Sequence, residues 1–314
     1  MTNFQQTLST ITDYIKADIF PGASLALYDG QDWQEHYLGT QDGNHPVVPG
    51  LTYDLASVSK VVGVGTLCLF YLQAGKLDLD EKLSTYYPEV VDKTLTLRQL
   101  LSHSSGINPF IPNRDDLDQA GLIAAINAIK VKADKPFLYT DINFILLGLM
   151  LEKVSGTTLD KLFDSEIFQP FGMFETGFGP VDHAVPTVEG VPGGTVHDPK
   201  ARVLKEHTGS AGLFSTLKDL EIFVNHYLTD DFAKNMTQNI SQSNKERSVA
   251  WDLQGDWILH TGYTGTFVLI NIPAQRAVIF LSNRTYYKDE RAQWIEDRDA
   301  LIEIMKEELV HSDK

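Results

Sequence analysis

The sequence predicts an α/β protein in which a helical block is inserted between two parts that contain the strands. Strand patterns occur near the amino end and again in the last third of the chain, and helical patterns fill the middle. The chain has 314 residues and 43% hydrophobic content, which is enough to bury a substantial core. We place the α/β part at about residues 1–75 and 209–314 and the helical insert at about 76–208, within one domain of residues 1–314.

The first part begins with a helix and continues into a hairpin. Apolar residues repeat at helical spacing from about residue 4 to residue 16, and Pro21-Gly22 then breaks the run. Residues 23–28 and 36–38 flank Asp29-Gly30, which predicts two strands joined by a tight turn.

Helical segments dominate the middle of the chain, and strands return after it. The patterns predict helices at 97–101, 117–129, 143–154 and 159–168. Residues 180–199 contain four prolines and three glycines, so they predict a long irregular connection of the kind that is often functional or mobile. A helix at 217–227, strands at 257–260, 267–272 and 277–282, and a final helix at about 291–310 complete the chain.

Ser57 and Lys60 form a Ser-x-x-Lys pattern at the start of an apolar segment that ends before Gly75. Residues three apart on a helix lie within side-chain reach, so the lysine nitrogen can approach the serine hydroxyl. A serine hydroxyl needs a base, and lysine acts as one when desolvation or nearby positive charge lowers its pKa from about 10.4. Because the segment is apolar nearly all round, it predicts a buried helix, and the pair is a candidate nucleophile and base.

The same pattern occurs at Ser215 and Lys218, so the four residues alone are weak evidence. There we expect Ser215 or Thr216 to cap the following helix and Lys218 to lie on the surface.

Composition limits the classes of partner. The net charge of -16 and the pI near 4.9 disfavour nucleic acid and anionic membrane surfaces, since both require clustered lysine and arginine. The single cysteine, Cys68, lies in an apolar run and is expected to be a buried structural thiol.

The first twenty residues lack the features of a signal peptide, and we count no apolar run of the ~18 residues that a membrane helix needs. The chain as given is therefore expected to be cytoplasmic and to have no membrane span, although a removed leader would leave no trace in it.

Two further motifs precede or follow predicted elements. Tyr139-Thr140-Asp141 stands before an apolar helix, and His260-Thr261-Gly262 ends a strand ahead of a turn that contains Tyr263. Taken alone, the tyrosine is typical of a packing residue and the histidine of a structural one.

Together the three motifs resemble the signature of the serine β-lactamase and penicillin-binding-protein superfamily, which is Ser-x-x-Lys, then Ser-Asp-Asn, then Lys-Thr-Gly. The form led by tyrosine is similar to class C β-lactamases, family VIII carboxylesterases and D-aminopeptidases. Stretches at 100–106, 146–148 and 209–216 extend the resemblance over about residues 22–284. It implies a β-lactamase/transpeptidase-like fold of class α/β (α+β), with an antiparallel sheet flanked by terminal helices and an inserted all-helical subdomain.

The resemblance also implies roles for individual residues. Ser57 would attack a carbonyl, Lys60 would help to deprotonate it, and Tyr139 would pass the proton to the leaving group and later activate water. The backbone N–H groups of Ser57 and Tyr263 would hold the oxyanion, and Gly262 would let the strand approach the substrate closely. The division of labour between Lys60 and Tyr139 as base stays open.

Two residues depart from the superfamily pattern. His260 replaces the common lysine, and a histidine with a pKa of about 6.5 is mostly neutral at pH 7, which weakens recognition of a substrate carboxylate and favours an esterase. Asp141 replaces asparagine and, when ionised, only accepts hydrogen bonds. We expect it to pair with Lys60 or to cap the helix; the alternative is that it receives a substrate ammonium, as in a D-aminoacyl ester or amide.

Other polar residues carry weaker signals. We expect His103 to be a hydrogen-bonded structural residue. His197-Asp198 has no further ligands at metal spacing, and the turn at Gly262 lacks the lysine of a phosphate-binding loop, so neither metal nor cofactor is expected.

The sequence therefore predicts a serine hydrolase that forms an acyl-enzyme with a small-molecule ester, amide or β-lactam-like substrate. A carboxylesterase or a D-amino-acid-specific esterase or amidase is favoured, and a weak β-lactamase or DD-carboxypeptidase is the alternative. A ligand-binding or sensor module without turnover is the rival from another class. The acyl group, the leaving group and the oligomeric state stay open.

Overall fold

The computed structural model describes residues 4–311, and its strands form two antiparallel sheets. Its strands are β1 (Gly22–Tyr28), β2 (Trp33–Gly39), β3 (Thr52–Asp54), β4 (Gly177–Phe178), β5 (Leu213–Thr216), β6 (Asp252–Gln254), β7 (Trp257–Thr261), β8 (Phe267–Asn271) and β9 (Arg276–Ser282). The large sheet has the order β2-β1-β9-β8-β7-β6, and the small sheet has the order β3-β5-β4.

The helices lie at both ends of the chain and in the middle. They are α1 (Gln5–Lys16), α2 (Thr66–Gln73), α3 (Leu83–Tyr86), α4 (Leu97–Leu101), α5 (Gln119–Asn127), α6 (Asp141–Ser155), α7 (Leu159–Phe163), α8 (Gln169–Phe171), α9 (Pro199–Leu204), α10 (Leu217–Thr229) and α11 (Arg291–His311). The predicted fold class is confirmed: helices from the two termini accompany an antiparallel sheet, and a mostly helical segment separates its first two strands from the rest.

The large sheet is covered on both faces, which explains why its inner strands β1, β8 and β9 are buried along almost their whole length. Along β1, Leu25 and Leu27 point into a core shared with α1 and α11, whereas Ala26 points into the larger core under α2, α6 and α10. Successive side chains of a strand alternate between faces, so the residues of β9 from Ala277 to Leu281 are buried in one core or the other in turn. Packing in these two cores holds the large sheet in place, including β7, which ends just before Gly262.

The small sheet was not predicted from the sequence. Its strands have two to four residues, too few for a period of two to be visible. Because β4 lies within residues 76–208 and pairs with β5, this segment contains a short strand besides its helices. The domain division at these positions stays a prediction.

At the helical run Ala56–Gln73 the structure differs from the sequence-based expectation that no apolar segment is long enough for a membrane helix. It consists of a 3-10 turn (Ala56–Val58), a π turn (Val61–Gly65) and α2, and its 18 residues are long and apolar enough to cross a membrane. A pair of helices bent by 77°, Asp141–Ser155 with Leu159–Phe171, passes the same test only when taken as one span. Since 78% of Ala56–Gln73 is buried inside the fold, it has the environment of a core helix. Cys68 is buried in it as predicted, and burial raises the pKa of its thiol to about 12.

Candidate active site

Ser57 lies on the 3-10 turn between β3 and α2, where the backbone is strained. Ala56 has a φ of +46°, in the left-handed region that costs a non-glycine residue about 1 kcal/mol. The buried carboxylate of Asp54 holds the turn, since it accepts the Ala56 N–H at 2.8 Å and the His197 N–H at 2.7 Å. Burial raises the pKa of Asp54 to about 6. The turn is thereby tied to the irregular segment at 180–199.

Lys60 is fully buried beneath Ser57 and has a complete set of hydrogen-bond partners. Its Nζ lies 2.8 Å from Ser57 Oγ, from Asp141 Oδ1 and from the Ser210 carbonyl oxygen. Burial lowers the pKa of Lys60, but the Asp141 carboxylate and Tyr139 together raise it by more, so the net shift is upward. Lys60 is therefore an ammonium that donates three hydrogen bonds. The lowered pKa that a lysine base requires is not found in this state.

Asp141 has a lysine on each carboxylate oxygen. Besides Lys60 on Oδ1, Lys200 Nζ lies 3.0 Å from Oδ2. Burial raises the pKa of Asp141, but the two lysines lower it by more, so it is ionised. The expected pairing with Lys60 is thus present, and helix α6 is capped by its neighbour Thr140, whose hydroxyl accepts the Ile142 N–H. The sequence analysis did not identify Lys200. Its only signal of function was the length of the irregular segment at 180–199 that precedes it.

Tyr139 stands at the cleft with its ring supported from behind. The side chain is 39% exposed, and its ring stacks on His103 at 4.3 Å between centroids. Lys60 Nζ lies 5.1 Å from the centroid of the same ring. His103 is buried and its Nδ1 lies 2.9 Å from Asn143 Nδ2, so Nδ1 accepts and the proton is on Nε2. Burial and the nearby Arg247 keep the pKa of His103 well below its usual value, so the supporting ring is neutral.

His260 is buried behind Tyr139 and does not line the cleft. The two ring centroids are 6.4 Å apart, and neither nitrogen of His260 has a hydrogen-bond partner within residues 4–311. Burial, together with Lys60 and Arg247, lowers its pKa well below the usual value. The histidine is neutral, as expected, but its position is that of a second layer rather than of a group that contacts substrate.

Gly262 is required by its close contact with the turn that carries Ser57. A Cβ atom at this position would lie 2.7 Å from the Leu55 carbonyl oxygen and 3.3 Å from Ala56 Cβ. The absence of a side chain thus lets the end of β7 pack closely against the Ser57 turn. The sequence-based expectation was that this glycine lets the strand approach the substrate. Thr266 Oγ1 also donates to the Leu55 carbonyl oxygen at 3.1 Å, which joins the two segments.

Thr264 makes a similar bond from the turn between β7 and β8, since its Oγ1 donates to the Asp54 carbonyl oxygen at 3.0 Å. In the same turn, the Tyr263 N–H donates to no acceptor in the described part of the chain. A free N–H group held next to the Ser57 turn is what an oxyanion site requires.

The predicted residues meet at one cleft of about 840 Å³. Its floor includes Ser57, Tyr139, Asp141, Gly262 and Tyr263. Lys60 and His260 lie beneath this floor. The irregular segment at 180–199 forms one wall and the start of α11 another. No group of three or more His, Cys, Asp or Glu side chains in residues 4–311 is arranged to hold a metal ion.

Comparisons with known proteins agree with this geometry. The family model described as Beta-lactamase matches residues 9–302. A protein of Escherichia coli (strain K12), assigned as a candidate D-alanyl-D-alanine carboxypeptidase, is 25% identical in an alignment of 303 positions, gaps included, that covers 76% of this chain and 70% of the relative.

Two solved structures show the same fold at low sequence identity. EstCE1, a hydrolase with promiscuous acyltransferase activity, has a TM-score of 0.78 at 18% identity and covers 95% of this chain and 97% of its own. The β-lactamase/D-alanine carboxypeptidase of Pseudomonas syringae has a TM-score of 0.77 at 17% identity, with coverage of 96% and 97%.

Proposed function

Since the chain belongs to the β-lactamase family, a family of hydrolases, we propose that it is a serine esterase that forms an acyl-enzyme on Ser57. The observation that carries this proposal is the 2.8 Å contact between Lys60 Nζ and Ser57 Oγ at the floor of the cleft. In this contact the hydroxyl of Ser57 is open to substrate, and the cationic Lys60 beside it is shielded from water.

The proton of Ser57 passes to Tyr139 in this mechanism. Lys60 already holds its three protons and donates one hydrogen bond to Ser57 Oγ, so it orients and stabilises the developing alkoxide. As Oγ bonds to the carbonyl carbon, the phenolate form of Tyr139 takes the Ser57 proton and, now a phenol, returns it to the departing alkoxide. The N–H groups of Ser57 and Tyr263 stabilise the oxyanion, and a water molecule activated by Tyr139 then releases the acid.

The neutral state of His260 supports esters over β-lactams as substrates. A lysine at this position would place a positive charge behind the cleft floor, whereas a buried neutral imidazole supplies none to a substrate carboxylate. EstCE1, a hydrolase with promiscuous acyltransferase activity, shares the fold, and acyl transfer on this scaffold supports the proposal.

A substrate panel tests the proposal. We expect kcat/KM for short-chain p-nitrophenyl esters to exceed that for a chromogenic cephalosporin and for a D-alanyl-D-alanine peptide by at least about tenfold. Equal or better turnover of the cephalosporin or the peptide would favour a β-lactamase or a carboxypeptidase. Intact mass after exposure to a fluorophosphonate should show one adduct. Acylation without any turnover of esters would instead indicate a sensor module.

A further inference from the structure

The outer oxygen of Asp141 is the place at which this site would hold a positively charged substrate. Asp141 lines the cleft next to Ser57, and an ionised aspartate there would attract an ammonium close to the scissile carbonyl. That oxygen already has an ammonium on it, because Lys200 Nζ lies 3.0 Å away. A group of this chain thus occupies the position.

The placement of Lys200 is built into the start of α9. Asp198 caps this helix by accepting the Ala201 N–H at 2.8 Å, and Pro199 supplies the backbone angle of its first residue. The other oxygen of Asp198 lies 3.2 Å from Lys200 Nζ, so the ammonium bridges two carboxylates. Only 14% of the Lys200 side chain is exposed.

The lining of the cleft as a whole also carries more basic than acidic side chains, although Arg114, Arg284 and Arg298 are paired with carboxylates. Its lining contains six basic residues and three acidic ones, although the chain as a whole carries a net charge of -16. The basic residues are Arg114, Lys200, Arg202, Arg284, Arg291 and Arg298, and the acidic ones are Asp141, Asp198 and Asp289.

We propose that Lys200 is a specificity residue that excludes acyl groups with an ammonium next to the scissile carbonyl. Esters with a neutral or anionic acyl group are then the substrates, and free D-aminoacyl esters are not. The inference rests on the proposed hydrolysis at Ser57. Its physical basis is that a substrate ammonium would have to displace Lys200 from Asp141 or lie beside it as a like charge.

Paired substrates test this proposal. D-alanine methyl ester and its N-acetyl form differ in one charge at about pH 6, where an α-amino group is protonated. We expect the wild type to hydrolyse the acetylated ester at least about tenfold faster, measured as kcat/KM. Lys200→Met should lower this preference by about tenfold, whereas Lys200→Arg, which keeps the charge, should retain it. Lys218→Met, at an exposed lysine outside the cleft lining, is the matched control and should also retain it.

A binding measurement separates this proposal from the proposed function. In a Ser57→Ala background, NMR titration compares D-alaninamide with N-acetyl-D-alaninamide. We expect Lys200→Met to increase affinity for D-alaninamide by about tenfold and to leave the acetylated amide unchanged. Equal effects on both amides would overturn the role of Lys200, as would wild-type turnover of the free ester at the rate of the acetylated one. If the wild type hydrolyses no ester, the proposed function fails and the titration still decides the role of Lys200.

Discussion

The chain contains the Ser-x-x-Lys pattern twice, and the two copies have opposite environments. At the first, Ser57 is partly exposed to the cleft while the Lys60 side chain is fully buried. At the second, Ser215 is buried against the Thr176 hydroxyl at 2.7 Å and 67% of the Lys218 side chain is exposed. A nucleophile must be open to substrate and its cationic partner shielded from water, and the first copy alone meets both conditions.

The partners of the two lysines explain this difference. Lys60 donates to Asp141 and to Ser210, which the fold brings from distant parts of the chain. Lys218 pairs with Glu221 on the same helix at 2.7 Å. The structure confirms that Thr216 caps this helix, since its hydroxyl accepts the Asp219 N–H. The nearest partner of Lys218 is thus on its own helix, with Glu35 of β2 farther away at 3.6 Å, whereas the partners of Lys60 besides Ser57 come from tertiary contacts.

Removal of each serine hydroxyl gives the largest expected contrast. Ser57→Ala should reduce ester turnover by about 10⁴-fold and abolish the fluorophosphonate adduct, because the bond-forming oxygen is lost. Ser215→Ala should leave the adduct and kcat unchanged, since its hydroxyl contacts no cleft residue in the described structure. Rates with a p-nitrophenyl ester and intact mass measure both effects. An adduct that persists in Ser57→Ala would remove Ser57 from the mechanism.

Replacement of each lysine by methionine should give the second contrast. Lys60→Met leaves the buried Ser210 carbonyl unpaired and Asp141 with one cation, so we expect a loss of about 3 kcal/mol in the free energy of unfolding and about 10³-fold in kcat. Lys218→Met should cost less, about 1 kcal/mol, because 67% of the Lys218 side chain is exposed and its buried partner Glu221, whose pKa is raised to about 7, can take up a proton when the lysine is lost. Urea denaturation and ester rates would show this. Similar losses in the two variants would contradict the comparison.

The stacking of His103 on Tyr139 is part of the site at the first Ser-x-x-Lys copy. Its removal should have an effect of intermediate size. His103→Ala removes the ring that stacks on Tyr139 at 4.3 Å, so we expect kcat to fall about tenfold while KM changes little. His103→Phe keeps a flat ring and should restore part of kcat. Steady-state kinetics of the two variants measures this. Equal kcat values for them would show that stacking does not position Tyr139.

The carboxylates beside the two lysines should respond to pH in opposite directions. Burial raises the pKa of Glu221 to about 7, so this group costs stability progressively as the pH rises from about 4.5 to 7. The pKa of Asp141 is lowered, so its contribution is present above about pH 3.9 and is lost as the pH falls further.

Glu221→Gln should therefore raise the free energy of unfolding by about 1–2 kcal/mol at about pH 8 and change it little at about pH 4.5. Chemical denaturation at the two pH values measures the effect. A change of the same size at both would indicate that the ionisation of Glu221 is not its cause.

Much of the site could be predicted because its motifs are continuous in the sequence. Tyr139-Thr140-Asp141 and the turn at Gly262 are short stretches whose residue types identify the superfamily, and the structure brings them to the cleft with Ser57. The small sheet was missed because strands of two to four residues show no period. Lys200 was missed because a single lysine in an irregular segment has no local signal of what it contacts.

The sequence by itself determined the order of the longer elements, the family and the candidate nucleophile, since these depend on periodicity and on motifs of adjacent residues. The tertiary structure alone decided the environments of the two Ser-x-x-Lys pairs, because Lys60 is buried among partners that lie 81 and 150 residues away in the chain. It also decided that Lys200 contacts Asp141. These features arise from distances between segments that are far apart in the chain.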